Sequence, residues 1–282
     1  MLREPTVAGS FYPSNKDKLV QIIEMCFSND QIGPGQLPEK DKDYPRKGEI
    51  YGLISPHAGY VYSGPVAAHG FLEQYQDGKP DFFVIIGPNH RNIGPAISVY
   101  PEGSWLTPFG ESIIPDEITE IIVKQPHFRA DTSAHMMEHS IEVQVPFLQY
   151  LYGENIPIIP ICVKDQSLLM AERIGTVLSK VLADYDYCLI ASTDLTHYET
   201  KASAMSKDSL VIDCIRDLNP EKLINTVNEK YISMCGPGPV ASVLYASNKN
   251  KVKTVKVLKY ATSGDVSGDD VGVSYLSALL LK

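Results

Sequence analysis

The segment from Phe82 to Ile86 is a continuous apolar run, bounded by Asp81 and Gly87. It carries no polar residue at alternate positions, so it reads as a strand buried on both faces, the condition found in parallel sheets covered by helices. Tyr51–Ile54, Ile156–Val163 and Tyr187–Ala191 repeat the pattern, with helical periodicities between them. Strand and helix in alternation predict one α/β layered domain over residues 1–282, with a central, mostly parallel but mixed sheet flanked by helices. Val252–Tyr260 and Val271–Leu280 read as strands closing that sheet.

Several local boundaries follow from capping and periodicity. Ser14 is expected to cap a helix carrying Leu19, Ile22, Ile23 and Cys26. Pro65 suits a first helical turn, which predicts a helix from about Pro65 to Gln74. Residues 29–49 are polar and rich in Pro, Gly, Lys and Asp, as in a surface loop and the place where disorder is expected. Residues 128–138 read as an irregular loop, and 140–152 as a helix.

In parallel sheets, ligands bind outside the carboxyl ends of the strands. That rule gathers three loops that are distant in sequence. Residues 56–64 carry His57, Tyr60 and Tyr62; residues 88–92 carry His90; residues 192–197 carry Asp194 and His197. Three imidazoles and a carboxylate at strand ends offer either a divalent-metal site, with two His and the Asp as ligands, or a general acid and base. A lone histidine in such a loop is more often a satisfied capping residue; three loops of the same kind argue for a shared site. Glu138-His139 opens a helical pattern and reads equally well as an ordinary first turn. Of the five cysteines, Cys26, Cys162, Cys188 and Cys214 fall in apolar strand or helix patterns and are assigned to packing. Cys235 instead stands in a Gly/Pro turn before a helix, where a thiolate is favoured as nucleophile or ligand.

Other classes are excluded by what the chain lacks. The net charge is −9 and no block of Lys or Arg occurs, which argues against a nucleic-acid partner or an anionic membrane surface. No apolar run approaches a membrane span, and the first residues lack a secretory apolar region. Scattered cysteines without a C-x-x-C pair fit a reducing cytoplasm. Neither G-x-x-x-x-G-K-[ST], G-x-G-x-x-G nor G-x-S-x-G is present, so nucleotide binding and a serine nucleophile elbow find no support.

Seven motifs then occur in a fixed order from end to end. They are R-E-P-T-V-A-G-S-F-Y-P at 3–13, S-P-H-A-G-Y-V-Y-S-G at 55–64, G-P-N-H at 87–90, E-H-S-I-E-V-Q-V-P-F at 138–147, S-T-D-L-T-H-Y at 192–198, C-G-P-G-P at 235–239 and Y-A-T-S-G-D at 260–265. Together they resemble the Memo family (mediator of cell motility), whose prokaryotic members are called AmmeMemoRadiSam system protein B. The resemblance implies a fold similar to the class III extradiol dioxygenases, which use non-haem Fe(II). It further implies metal ligation by His57, His90 and Cys235, with Asp194 and His197 as catalytic groups in the same pocket. Tyr60, Tyr62 and His139 are the expected ligand-binding residues, with Trp105 on the rim. The dioxygenases complete a two-His-one-carboxylate triad, whereas here the third position is Cys235; thiolate favours Fe, Cu or Zn over Mg or Ca, and the change of ligand argues against ring cleavage. Fe(II) is the expected cofactor, with Cu and Zn as alternatives. Two functions remain open: a metal-dependent oxidoreductase of unassigned substrate, and a non-enzymatic protein binding a small molecule or peptide on a dioxygenase scaffold. The family name also points to radical-SAM system proteins as partners. A metal-free hydrolase with Cys235 as nucleophile and His197 as base is the third alternative.

Overall fold

The expected buried strands form the middle of the main sheet in a computed structural model that describes residues 1–42 and 44–282. In chain order the elements are β1 (Leu2–Arg3), α1 (Lys16–Ser28), β2 (Ile50–Ser55), α2 (Tyr60–Gln76), β3 (Phe82–Pro88), β4 (Ile97–Val99), β5 (Ser104–Thr107) and β6 (Gly110–Ile113). They continue with α3 (Asp116–Val123), β7 (Phe128–Ala130), a 3-10 turn at Glu142–Gln144, α4 (Val145–Tyr152), β8 (Ile158–Val163), α5 (Leu168–Val181), β9 (Tyr187–Ser192) and β10 (His197–Thr200). The chain ends with α6 (Lys201–Arg216), α7 (Pro220–Glu229), α8 (Pro237–Lys249), β11 (Thr254–Thr262), α9 (Gly264–Ser267) and β12 (Val271–Leu281).

Among the described residues the main sheet has nine strands in the order β10-β12-β2-β9-β3-β8-β4-β7, with β11 also paired to β12. The four central strands β2, β9, β3 and β8 are mutually parallel; β12 joins β2, and β4 joins β8, in antiparallel fashion. A smaller three-stranded sheet has the order β1-β5-β6. The molecule is thus one α/β domain with a mixed sheet, consistent with the dioxygenase-like architecture that the resemblance implies.

The continuous apolar runs are explained by burial on both faces. Val84 and Ile86 of β3, with Ile159 and Leu189, face Ile174, Leu178, Val240 and Leu244 of α5 and α8. Phe83 and Ile85, with Ile158 and Ile190, face Leu19, Ile23, Phe71 and Phe147 of α1, α2 and α4. Each such side chain taken out of water contributes about 1.5–3 kcal/mol, which fixes the register of the central strands. At one point α2 lies unusually close: a Cβ on Gly70 would meet Leu53 Cδ1 at 2.1 Å.

Four expected boundaries differ. The first helix is capped by Asn15, whose side chain accepts from the Lys18 N–H, not by Ser14. Helix α2 begins at Tyr60, so Pro65 lies inside it and one helical hydrogen bond is given up. The expected loop at 128–138 opens with the short strand β7, parallel to β4. The helix expected over 140–152 is a 3-10 turn followed by α4. Position 43, within the loop expected over 29–49, lies outside the described residues.

Candidate metal centre

The carboxyl ends of β2, β9 and β3 stand side by side, since Ser55 pairs with Ser192 and Ile86 with Ala191. The loops that leave them bring His57, His90 and Asp194 to one cavity of about 540 Å³. The turn before α8 adds Cys235, and Phe11, His139, His197, Tyr198 and Val273 complete much of the wall. A larger cavity of about 660 Å³ lies beside Glu24, Leu37 and Tyr150, but it holds neither histidine nor cysteine.

His57 is buried, and the proton on its ring can be placed by counting donors. Gln144 Nε2 donates to the Pro56 carbonyl at 2.9 Å and to Ser192 Oγ at 2.9 Å. Ser192 Oγ donates its single proton to the Ser140 carbonyl at 2.6 Å. His57 Nδ1, 2.8 Å from the same Oγ, must therefore be the donor there. That leaves the lone pair on Nε2, which faces Cys235 Sγ at 3.3 Å. The His57 backbone N–H is held by Asp194 Oδ1 at 2.8 Å.

His90 has a matching arrangement with a carboxylate. Glu138 Oε1 takes its Nδ1–H at 2.9 Å and Glu138 Oε2 takes its backbone N–H at 2.6 Å. The same Oε1 accepts from the His139 and Ser140 backbone N–H groups. Burial pushes the Glu138 carboxyl up, but the His90 hydrogen bond and charge, with His139 and the Ser140 N–H, outweigh it and hold it at about 2. The ionised carboxylate fixes His90 with Nε2 as its acceptor nitrogen, the arrangement that orients histidine ligands in metal proteins.

Cys235 Sγ accepts the Asp194 N–H at 3.1 Å. The turn that carries it is closely packed: a Cβ on Gly236 would meet the Ser192 carbonyl oxygen at 2.8 Å. Burial and the nearby Asp194 carboxylate push the thiol above its ordinary range. Burial also pushes the His57 imidazole well below its ordinary value, helped by His139, His90 and His197. In the metal-free protein Cys235 and His57 are thus both neutral, so the helix N-terminus alone does not generate the thiolate expected there. A divalent cation does so directly.

One donor atom each from His57, His90 and Cys235 lies within 4.8 Å of the others. Nitrogen and sulfur bound to one ion at about 2.0 and 2.3 Å, with an angle of about 90–109°, stand about 3.0–3.5 Å apart. The observed 3.3 Å between His57 Nε2 and Cys235 Sγ falls within that range. The residues therefore fit a transition-metal ion. His90, Glu138 and His139 form a second group of similar spacing, but its Glu138 is already saturated by N–H donors.

Asp194 and His197 line the same cavity without bonding to each other. His197 Nδ1 donates to the Leu195 and Ser233 carbonyls at 2.7 and 2.8 Å, which leaves Nε2 without a partner among the described residues. Burial pushes the Asp194 carboxyl up to about 6, against the His57 N–H, His197 and His90. His139 stacks on His90 at 4.6 Å between centroids and tilts against Phe11 at 4.8 Å; burial lowers it to about 4.

Tyr60, Tyr62 and Trp105 lie elsewhere. Because α2 starts at Tyr60, its helical turn drives Tyr60 inward, where its hydroxyl donates to the Val143 carbonyl at 2.7 Å, and leaves Tyr62 outside the cavity wall. Trp105 is buried under the Arg3 guanidinium. Residues outside the expected site do much of the positioning: Glu138, Ser192 and Gln144 orient the imidazoles, and Phe11 forms wall. Arg3 and Glu142 fasten the N-terminal segment beneath them, through a 2.8 Å ion pair and Glu142 bonds to Tyr12, Thr6 and Val7. The signal in the sequence is the close set of polar residues at 138–140, 142 and 144, ahead of the apolar run 145–148, in a stretch with no Lys or Arg between positions 130 and 163.

Fold and site together define an α/β protein with a two-histidine, one-cysteine centre at the carboxyl ends of parallel strands. Residues 3–279 match the family described as Memo-like protein. A MEMO1 family protein of Thermotoga maritima is 47% identical over 99% of this chain and 100% of its own length. MEMO1 family proteins of Ignicoccus hospitalis and Methanopyrus kandleri are each 42% identical, over 97% and 100% of this chain and 96% and 99% of their own. The chain belongs to the Memo family. Among solved structures, the uncharacterized protein JW3007 from Escherichia coli K12 shares the fold, with a TM-score of 0.55 and 16% identity over 82% of this chain and 99% of that one.

Proposed function

We propose that this protein binds one transition-metal ion on His57 Nε2, His90 Nε2 and Cys235 Sγ, and that it acts on a small molecule entering the cavity. The observation that carries the reading is proton placement: Ser192 and Glu138 each occupy a histidine Nδ1, so both remaining lone pairs belong to Nε2 beside one thiol. Two nitrogens and a sulfur favour Fe, Cu or Zn over Mg or Ca. Fe(II) is our first choice, because the implied dioxygenase-like scaffold is associated with it; that step is analogy. A bound ion would supply Lewis acidity and, for iron or copper, a redox couple at the cavity floor.

The chain's own groups handle protons and access. His197 keeps Nδ1–H on two carbonyls and can take up or release a proton at Nε2. Asp194 holds the His57 main chain, and with its proton affinity raised it is a second reservoir for a proton. Phe11 covers His139 and limits water there. Cys235 as a metal-free nucleophile is disfavoured by its raised thiol pKa.

Anaerobic loading with Fe(II) tests the metal reading. We expect about one iron per chain, lost in His57→Ala and in Cys235→Ser; unchanged metal content in both variants would overturn the assignment. Oxygen uptake with a panel of catechols and related aromatics tests the enzymatic part. Turnover abolished by His90→Ala supports an oxidoreductase, and its absence across the panel with iron bound favours the binding-protein alternative.

A further inference from the structure

Beside the candidate centre one aromatic side chain stands out into solvent at a conformational cost. Tyr198 is 83% exposed, and its φ is 59°, in the left-handed region. The ladder between β10 and β12 slips there: His197 lies opposite Val273 and Glu199 opposite Gly272, so Tyr198 is the extra residue of a β-bulge. Bulges with a left-handed first residue normally use glycine, and a bulky side chain in that conformation is strained. Other positive φ values have ordinary causes. Asn92 and Asn155 are asparagines, His127 lies in the turn that leads into β7, and Leu218, Tyr231 and Lys251 follow on the ends of α6, α7 and α8. Tyr198 is in a strand, and its hydroxyl bonds to nothing among the described residues. Its one aromatic neighbour among the described residues is the His197 ring, at 5.8 Å between centroids, and Tyr198 is among the residues that line the cavity.

The cavity's charge narrows what that ring could contact. Among the described residues no Lys or Arg lines it, Asp194 brings a carboxylate, and its carbon surface comes from Phe11, Ala58, Val273 and Tyr198. With a divalent ion, two neutral imidazoles, one thiolate and the ionised Glu138 carboxylate on His90, the centre carries no net charge, and Asp194 adds a further carboxylate to the wall. A ligand with more than one negative charge, such as a phosphate dianion, would find no cation on that wall.

We propose that Tyr198 is a specificity-determining residue, the rim wall against which the flat body of an organic ligand with no more than one negative charge lies while an oxygen of that ligand meets the metal. This rests on the metal reading above. The bulge sets Tyr198 beside His197 on the cavity wall with its ring largely in solvent, and strain at such a position is a mark of ligand contact rather than of folding.

The test uses full-length protein loaded with Co(II), whose thiolate charge-transfer and d–d bands report both metal uptake and exogenous ligands. Acetate and 2-naphthoate are titrated as probes of equal charge and unequal flat surface. We expect naphthoate to bind about tenfold more tightly than acetate. Tyr198→Asn should lose that preference while leaving acetate affinity unchanged and the melting temperature no lower than that of the native chain, because asparagine accepts the left-handed backbone. Tyr198→Phe should keep the preference. Equal affinity for the two anions in the native protein, or an undiminished preference in Tyr198→Asn, would overturn the proposal. Failure of Co(II) to produce the bands overturns the metal reading, and this one with it.

Discussion

Gln166, in the loop after β8, grips Cys235 and its turn from two sides: Nε2 donates to the Cys235 carbonyl at 2.9 Å, and Oε1 accepts the Gly238 N–H at 3.0 Å. It therefore supplies a cap that α8 lacks locally, since the N-cap residue is Gly236 and has no side chain to offer. The thiol is fixed relative to the imidazoles by a residue that touches neither. Gln166→Ala should weaken metal binding about tenfold, within the range for residues that orient ligands, and cost about 1–2 kcal/mol of stability. Competition with a chromophoric chelator reads the first and urea unfolding the second. Unchanged metal affinity alongside lost stability would reduce Gln166 to a helix cap.

Glu138 offers a sharper test, because all its recorded partners are donors. Four N–H groups meet its two oxygens: His90 N, His90 Nδ1, His139 N and Ser140 N. Glu138→Gln turns one oxygen into an NH₂ facing an N–H and removes the charge that keeps His90 oriented. We expect metal affinity to fall 10- to 100-fold, about the range for such partners, with stability lower by about 1–3 kcal/mol. Chelator competition at constant pH measures the first. An affinity within about twofold of the native protein would remove Glu138 from the centre.

The difference between Glu138 and His57 shows what a sequence can disclose. His57, His90 and Asp194 follow β2, β3 and β9, whose apolar runs mark buried parallel strands without any tertiary knowledge. The rule for carboxyl ends then brings the three together. Tyr60 and Tyr62 were misplaced because the start of α2 has a weak local signature: Gly59 caps it with no side-chain bond, and Pro65 imitates a first-turn proline one turn and a half too late. Glu138 reads as part of an ordinary first helical turn, and Glu142 falls in the same helical pattern. Their burial depends on Arg3, which meets the Glu138 carbonyl at 2.7 Å and the Glu142 carboxylate at 2.8 Å from the far end of the chain. Periodicity carries no information about such a partner.

Arg3 and Glu142 are the buried ion pair on which the N-terminal segment hangs, with side chains 0% and 1% exposed. Arg3 also donates to the carbonyls of His135 and Glu138, so it braces the loop that presents Glu138. Arg3→Met would leave Glu142 with hydrogen bonds but no counter-charge. Breaking one side of a buried pair typically costs about 3–5 kcal/mol. We expect a loss of that order in urea titration, with a lower midpoint and little change in slope. A loss below about 1 kcal/mol would place the pair among those that hydrophobic replacement tolerates.

His135 predicts a dependence of stability on pH that is separable from the metal centre. It is fully buried among Tyr100, Trp105 and Arg3, and both ring nitrogens lack partners among the described residues. Burial, then the Arg3 charge, lowers its pKa to about 3, against about 6.5 in the unfolded chain. Above about pH 6.5 the ring is neutral in both states and contributes no slope. Between about 6.5 and 3 the unfolded chain binds the proton and the folded chain does not, so stability falls as pH falls, by up to about 1.4 kcal/mol per pH unit. His57 and His139, whose pKa values are also depressed, add slopes of the same sign in the metal-free protein. The contribution of His135 is therefore read as the difference between native protein and His135→Phe in urea unfolding at pH 7.5, 6.0 and 5.0. The variant should match or exceed the native stability at pH 7.5, since it removes two unpartnered buried nitrogens, and its advantage should widen toward pH 5.0. An advantage that stays constant across the three pH values would mean that His135 becomes protonated within the fold.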